Sequence, residues 1–272
     1  MVWAMSDRDA VISRLESQGV LLSIQWAFLS ATERVANDYS EAAGHDATWI
    51  GVSRFTLFRD RLDRVASCGR YAVQEGGDGR ASLDLLHAEL SPGDIETFPV
   101  LEAGTVRRSN VNGSPGWATD ESRFLLVSAP IRGLDELPWL SKSPTKQLIA
   151  SQSDPDQASL FDDVADEERG GITELLASRA LALDTLVVAH AQDVERGERR
   201  LVIGRPRLNG GGGSAWYWTH DLLAIPPRGG GRLQIPDPQP GAPSPVPDAP
   251  VRLRKRVAQS DRLSERRDSE PN

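Results

Sequence analysis

The chain reads as an α+β protein: an N-terminal helical hairpin or three-helix unit, mixed segments, a small antiparallel β-meander and a disordered C-terminal tail. Three observations predict this. Apolar residues recur at spacings of three and four over residues 8 to 65, the period of helices with one buried face. From residue 98 onward the texture changes to short β-like runs separated by turn residues. Beyond Pro226, Pro, Gly, Arg and Ser replace almost every large apolar residue, a composition unable to bury enough surface to order itself.

Residues 8 to 18 and 20 to 43 predict two helices. Leu21, Ile24, Phe28, Ala31, Val35, Tyr39 and Ala42 lie on one face of the second, and Leu22, Trp26 and Leu29 widen that stripe, so other elements should wrap it halfway. Gly44 suits the position just past a helix end. His45 to Gly51 then reads as a connector, and Ser53 as the cap of a third helix. In that helix Phe55, Phe58, Leu62 and Val65 point inward, with Arg54, Arg59, Arg61 and Arg64 mostly outside. Gly69 closes the unit.

Residues 71 to 73 form a short apolar piece, followed by a Gly-rich turn at 76 to 79. The run from Leu83 to Leu90 is ambiguous: spacing 83, 86, 90 favours helix, and 83, 85 favours strand. Residues 97 to 101 and 124 to 128 are β-like, although Pro99 restricts the first to an edge strand at best. The sequence Asn110-Val-Asn-Gly-Ser-Pro-Gly116 between them is turn-rich. Ser143-Pro144 places proline at the first position of a brief helix through Ala150. Residues 172 to 183 look helical. Residues 185 to 191, 200 to 208 and 214 to 223 predict a three-stranded meander that needs another surface to cover its apolar face. The resulting organisation is an α+β part (7–152), an acidic linker (153–171), a helix and meander packed on the same body (172–225), and the tail (226–272).

At 272 residues the chain can bury a sizeable core. A single cysteine, Cys68, excludes an intramolecular disulfide and a cysteine-cluster metal site, and it fits a reducing cytoplasm. No apolar run reaches the length of a bilayer span, and the N-terminus lacks the pattern of a signal peptide. The net charge of −8 is uneven: the tail from Pro226 carries a balance of +3, leaving −11 on residues 1 to 225. Such a body should not hold nucleic acid by bulk electrostatics.

Phosphate-loop, nucleophile-elbow, dinucleotide-binding and His-Glu-x-x-His signatures are missing, and the chain reads as leaning away from catalysis. His45-Asp46 and His220-Asp221 each join an imidazole to a carboxylate. Two such pairs meeting in space could hold a divalent metal for a hydrolase or nuclease, as in helical metal-dependent phosphohydrolases. The alternative is a capping Asp beside a packed His, with no cofactor. Arg205 and Arg207 precede the Gly210–Gly213 loop, and Trp216, Tyr217 and Trp218 follow it. On one face they would form a basic aromatic platform for single-stranded nucleic acid. In the register that pairs Pro206 with Trp216, however, Trp216 and Trp218 share a face with Val202 and Leu208, while Arg205 and Arg207 point the other way beside Tyr217. Residues 252 to 256 of the tail form a short basic run.

The acidic stretch from Ser153 to Glu168 contains Gln157-Ala-Ser-Leu-Phe161. Leu160, Phe161 and Val164 are its only large apolar residues. This peptide resembles the Gln-x-x-Leu-Phe pentapeptide by which bacterial polymerases and DNA-maintenance factors bind the replication sliding clamp; Ala158 departs from that pattern, which most often has Leu second. The resemblance covers five residues. It implies that Gln157 hydrogen-bonds at the rim of a pocket while Leu160 and Phe161 are buried inside it. The same peptide could instead dock on its own body after a helix start at Pro155. On the first reading the protein is a non-enzymatic adaptor in DNA replication, repair or defence whose partner is a clamp. On the others it is a metal-dependent hydrolase or a protein-interaction protein.

Overall fold

The computed structural model describes residues 7–72, 84–152 and 183–225. These form an α+β fold. Helices α1 (Asp7–Ser17), α2 (Val20–Asp38) and α3 (Ala47–Val65) come first, and α4 (Pro92–Glu96) and α5 (Pro144–Ala150) follow. Six strands make one sheet: β1 (Arg107–Arg108), β2 (Gly116–Ala118), β3 (Ser122–Ser128), β4 (Asp184–Asp193), β5 (Glu198–Pro206) and β6 (Trp216–Asp221), ordered as in the chain. All neighbours are antiparallel except β3 and β4, which run parallel from Ser122 beside Asp184 to Ser128 beside His190. The predicted meander β4–β5–β6 thus extends a sheet that β1 to β3 begin.

The sheet is covered on both faces, as its nearly continuous apolar runs require. Phe124 and Leu126 of β3, Leu186 and Val188 of β4, and Leu201 and Ile203 of β5 face the helices. The intervening Leu125, Val127, Val187, Ala189 and Val202 meet Leu134, Leu137, Trp139 and Ile149 from the 129–150 connection. Helix α2 is the centre of the helical layer. Its Leu21, Ile24, Ala27, Phe28, Ala31 and Val35 are all buried, as are Ser23, Gln25, Ser30 and Thr32, so it is wrapped more completely than its apolar stripe predicts. The polar members are satisfied: Gln25 Nε2 donates to the carbonyls of Leu222 (2.8 Å) and Ile225 (2.7 Å), and Ser30 Oγ accepts from Arg61 Nε at 3.0 Å. Gly19, with φ of 74°, makes the left-handed turn between α1 and α2 that a side chain would oppose.

Several expectations need correction. The second helix ends at Asp38, and Gly44 (φ 82°) instead closes a short 3₁₀ turn over Glu41–Ala43. The third begins at Ala47, because Asp46 rather than Ser53 caps it, accepting from the Trp49 amide at 2.8 Å. Arg54, Arg61 and Arg64 are buried, not outside; α3 lies between the sheet, α2 and the 84–90 segment, and each guanidinium finds acceptors there. Residues 84 to 87 are helical, which settles that ambiguity. No strand forms at 97 to 101. Ser91 and Asp94 cap one another in a capping box that starts α4, and its end at Glu96 leaves 98 to 102 as coil. Strands β1 and β2, two and three residues long, are too short for a periodicity to reveal. Of the expected helix over 172–183 only Leu183 is described, as a bend before β4; the rest of it, the acidic linker and the tail lie outside the described residues.

One irregularity repositions β6. Pro206 pairs with Trp216 as the register predicts, but a bulge follows, and Arg205 lies opposite Trp218. Trp216 therefore faces the connection layer while Trp218 packs on the helical side. This overturns the expectation that the two share a face. Gly204 permits the close approach, since a Cβ there would collide with the Trp218 carbonyl.

Candidate functional site

The carboxyl ends of the parallel pair β3 and β4 open into a cleft of about 680 Å³. The general rule for open sheets with parallel strands places ligands at such ends. One wall is the first half of α3, where Ala47, Ile50, Gly51 and Arg54 recur at three, one and three and so share a helical face. Ser128 and the Ala129-Pro130-Ile131-Arg132 segment form a second wall, and the β4–β5 turn from Asp193 to Arg196 with Glu198 forms a third. Tyr39, just past α2, stands at the edge.

Arg54 lies at the base. It is only 4% exposed, and each nitrogen is aimed: Nε donates to His190 Nδ1 at 3.1 Å, Nη1 to the Gln192 carbonyl at 3.3 Å, and Nη2 to Ser128 Oγ at 2.6 Å. All three acceptors are neutral. Among the described residues no carboxylate pairs with Arg54, and burial alone pulls its pKa down to about 10, still well above neutrality. A guanidinium removed from water without a counter-charge is costly. It retains two further N–H groups suited to a planar or tetrahedral anion.

His190 fixes the geometry from within. Its ring is fully buried among Phe28, Phe55 and Phe58, with the Phe58 ring edge-on at 5.2 Å between centroids. Burial first, and the nearby Arg54 and Lys146 charges second, hold its pKa well below the usual imidazole value. It is therefore neutral. Because Nδ1 accepts from Arg54, the proton sits on Nε2, which has no hydrogen-bond partner among the described residues. Across the sheet, Lys142 Nζ donates to the Ser128 carbonyl at 3.4 Å. Neither Lys142 nor Lys146 forms an ion pair with a described carboxylate, so each adds an unpaired ammonium near the strand ends. At the cleft edge Asp193 pairs with Arg196 at 3.4 Å.

The residues singled out from sequence are dispersed. Asp46 caps α3, and His45 Nδ1 accepts from the Ser40 amide while its ring stacks on Trp49 at 4.0 Å. His220 and Asp221 lie on β6, where Asp221 accepts from the Leu223 amide. The described residues contain no group of three or more His, Cys, Asp or Glu able to hold a metal, so the two pairs do not meet in one site. Arg205 is buried and paired with Asp184 at 2.9 Å and Asp7 at 3.5 Å. Trp216 is buried with its Nε1 on the Leu134 carbonyl, and Arg207 lies over the Tyr217 ring at 5.8 Å. Arg205, Arg207, Trp216 and Trp218 thus do not form a single platform. Gln157, Leu160 and Phe161 lie outside the described residues.

Arg54, Ser128 and His190 were missed as a group. A signal for Arg54 existed: it precedes Phe58, Leu62 and Val65 at spacings of four, eight and eleven, on the stripe that those residues define as inner. Among the described residues no helix is long and apolar enough to cross a membrane. Comparison with protein families, curated proteins and solved structures gives no match.

Proposed function

We propose that the protein is a non-enzymatic binding protein whose cleft takes a small anionic ligand at Arg54. The observation that carries this reading is a buried guanidinium, held by three neutral acceptors and open to a cleft, that lacks a counter-charge among the described residues. A phosphate or carboxylate would supply that charge through bonds roughly twice as strong as neutral ones. The neighbouring groups suit binding better than catalysis. His190 has its basic nitrogen engaged by Arg54 and its ring out of solvent, and Ser128 Oγ accepts from Arg54 while making no hydrogen bond to a described His, Lys, Asp or Glu. The test is a titration of the full chain with orthophosphate followed by nuclear magnetic resonance. Saturable shifts at Gly51, Arg54 and Ser128 that vanish in Arg54→Met support the reading. Their absence up to roughly 10 mM phosphate sinks it.

A second reading concerns where the protein acts. Gln157-Ala-Ser-Leu-Phe161 supports recruitment to a bacterial sliding clamp, as an accessory factor in DNA replication, repair or defence. Two adjacent large apolar side chains in an acidic stretch gain burial when a partner pocket takes them. A purified clamp should bind the full chain and lose that binding with Leu160→Ala and Phe161→Ala together. Equal binding by the double variant rules the reading out. The two readings are compatible, since one names a ligand and the other a partner.

A further inference from the structure

We infer that the ligand of the Arg54 cleft is a nucleoside monophosphate, its phosphate on Arg54 and its base against Tyr39. The inference rests on the cleft being an anion receptor and adds the chemistry of its other walls. Those walls differ sharply from the base. Tyr39, Ile50, Pro130 and Ile131 make an apolar and aromatic margin around a polar floor of Arg54 and Ser128. Tyr39 is flanked on one side: its ring lies 6.3 Å from Trp49 and 6.2 Å from His45, tilted by 48° to both, and these two stack on each other within 4° of parallel. A ring held this way loses little freedom when a second flat ring meets it.

The third wall is acidic. Asp193 is engaged by Arg196, but Glu195 and Glu198 from the β4–β5 turn can accept hydrogen bonds, as carboxylates do from ribose hydroxyls and exocyclic amines. They would repel a second and third phosphate. Arg54 at the base and Arg132 at the edge supply positive charge enough for one phosphate group, Arg196 and Asp193 being paired with one another. Small residues on the α3 face, Ala47 and Gly51, leave the width that a base and a sugar need; a Cβ on Gly51 would meet nothing within 4 Å. The floor therefore selects one anionic group, the margin a flat ring, and the far wall hydrogen-bond donors between them.

Calorimetric titration of the full chain with adenosine monophosphate, adenosine triphosphate, ribose 5-phosphate and orthophosphate tests this. The monophosphate should bind roughly ten- to a hundredfold tighter than ribose 5-phosphate, the advantage one stacked base supplies. It should also bind tighter than the triphosphate. Tyr39→Ala should remove the advantage over ribose 5-phosphate while leaving orthophosphate binding intact, and Tyr39→Phe should keep it. Gly51→Phe, which projects into open space and spares Arg54, should exclude the nucleotide and serves as a second variant if Tyr39→Ala unfolds. Equal affinity for the nucleotide and ribose 5-phosphate, or a tighter triphosphate, overturns the inference and leaves the anion receptor standing. Failure of orthophosphate as well overturns both.

Discussion

Arg54 Nε donates to His190 Nδ1 at 3.1 Å, joining a charged helix side chain to a neutral strand side chain with no carboxylate between them. The bond holds only while His190 is unprotonated, since an imidazolium would present a proton to a guanidinium. The pair thus couples the fold of the cleft to pH.

The first prediction follows from that coupling. The folded pKa of His190 is depressed, so the unfolded chain takes up the proton first as pH falls. Its contribution to stability is complete above the unfolded value near 6.5 and is lost as pH drops toward the folded value, at up to about 1.4 kcal/mol per pH unit. Urea unfolding at pH 8, 7, 6 and 5 should show stability declining below about pH 6.5. His220, also depressed chiefly by burial, adds in the same direction. In His190→Asn the decline should flatten while overall stability falls. An unchanged slope in that variant assigns the effect elsewhere.

Asp63 carries the second prediction. Its Oδ1 accepts from Trp117 Nε1 at 3.0 Å and from Cys68 Sγ at 3.3 Å, and Arg108 grips both oxygens at 2.9 and 3.0 Å. This ties α3 to β1 and β2, which are too short to hold themselves. Burial pushes its pKa up despite Arg108, so the pair is stabilising mainly through the groups it satisfies. Asp63→Ala leaves a buried indole N–H and a guanidinium unpaired and should cost about 3 kcal/mol in urea unfolding. A loss below about 1 kcal/mol would mean that water replaces the carboxylate.

The fold class and the outline of each long element were legible because Phe28, Phe58, Phe124 and Val188 repeat at helical or strand periods on faces that bury. The site was not legible for two reasons. Arg54, Arg61 and Arg64 carry charges, and charge suggests solvent until partners such as Ser30, Ser128 and His190 are seen to converge from distant segments. The parallel pairing of β3 with β4 brings residues 128 and 190 together across 62 positions, and no local pattern encodes that. The β6 faces failed for a narrower reason: one extra residue at the bulge inverts every side chain after Trp216.

Gly204 supplies the third prediction. Its missing side chain leaves room for the Trp218 carbonyl, and for Thr219 and Trp216 within 3.1 Å of a would-be Cβ. Gly204→Ala must move strand backbone rather than a flexible side-chain tip. It should destabilise by about 2 to 3 kcal/mol and alter the tryptophan emission, because Trp216 and Trp218 sit on either side of the bulge. A neutral effect would show that β6 can shed its bulge.

Cys68 offers a fourth. Burial first, and the neighbouring Asp63 carboxylate second, push its thiol up to about 12, so almost no thiolate exists at neutral pH. Its labelling by a disulfide reagent at pH 8 should therefore follow opening of the α3–β2 contact and accelerate sharply in Asp63→Ala. Rapid labelling of the native protein would contradict the burial.

Gly51 tests whether the cleft, rather than the fold, accounts for a weak point in α3. It lies five positions into the helix, where glycine is less favourable than alanine by roughly 0.5 to 1 kcal/mol, and a Cβ there meets nothing within 4 Å. Packing gives no reason for it, whereas its place on the cleft wall between Ala47 and Arg54 does. Gly51→Ala should raise stability by about that amount and leave phosphate binding unchanged, because a methyl group only slightly narrows the opening. Gly51→Phe should keep most of the stability and lose nucleotide binding. Stability gained and binding lost, in one helical position and in that order of side-chain size, would separate the demand of the site from the demand of the fold.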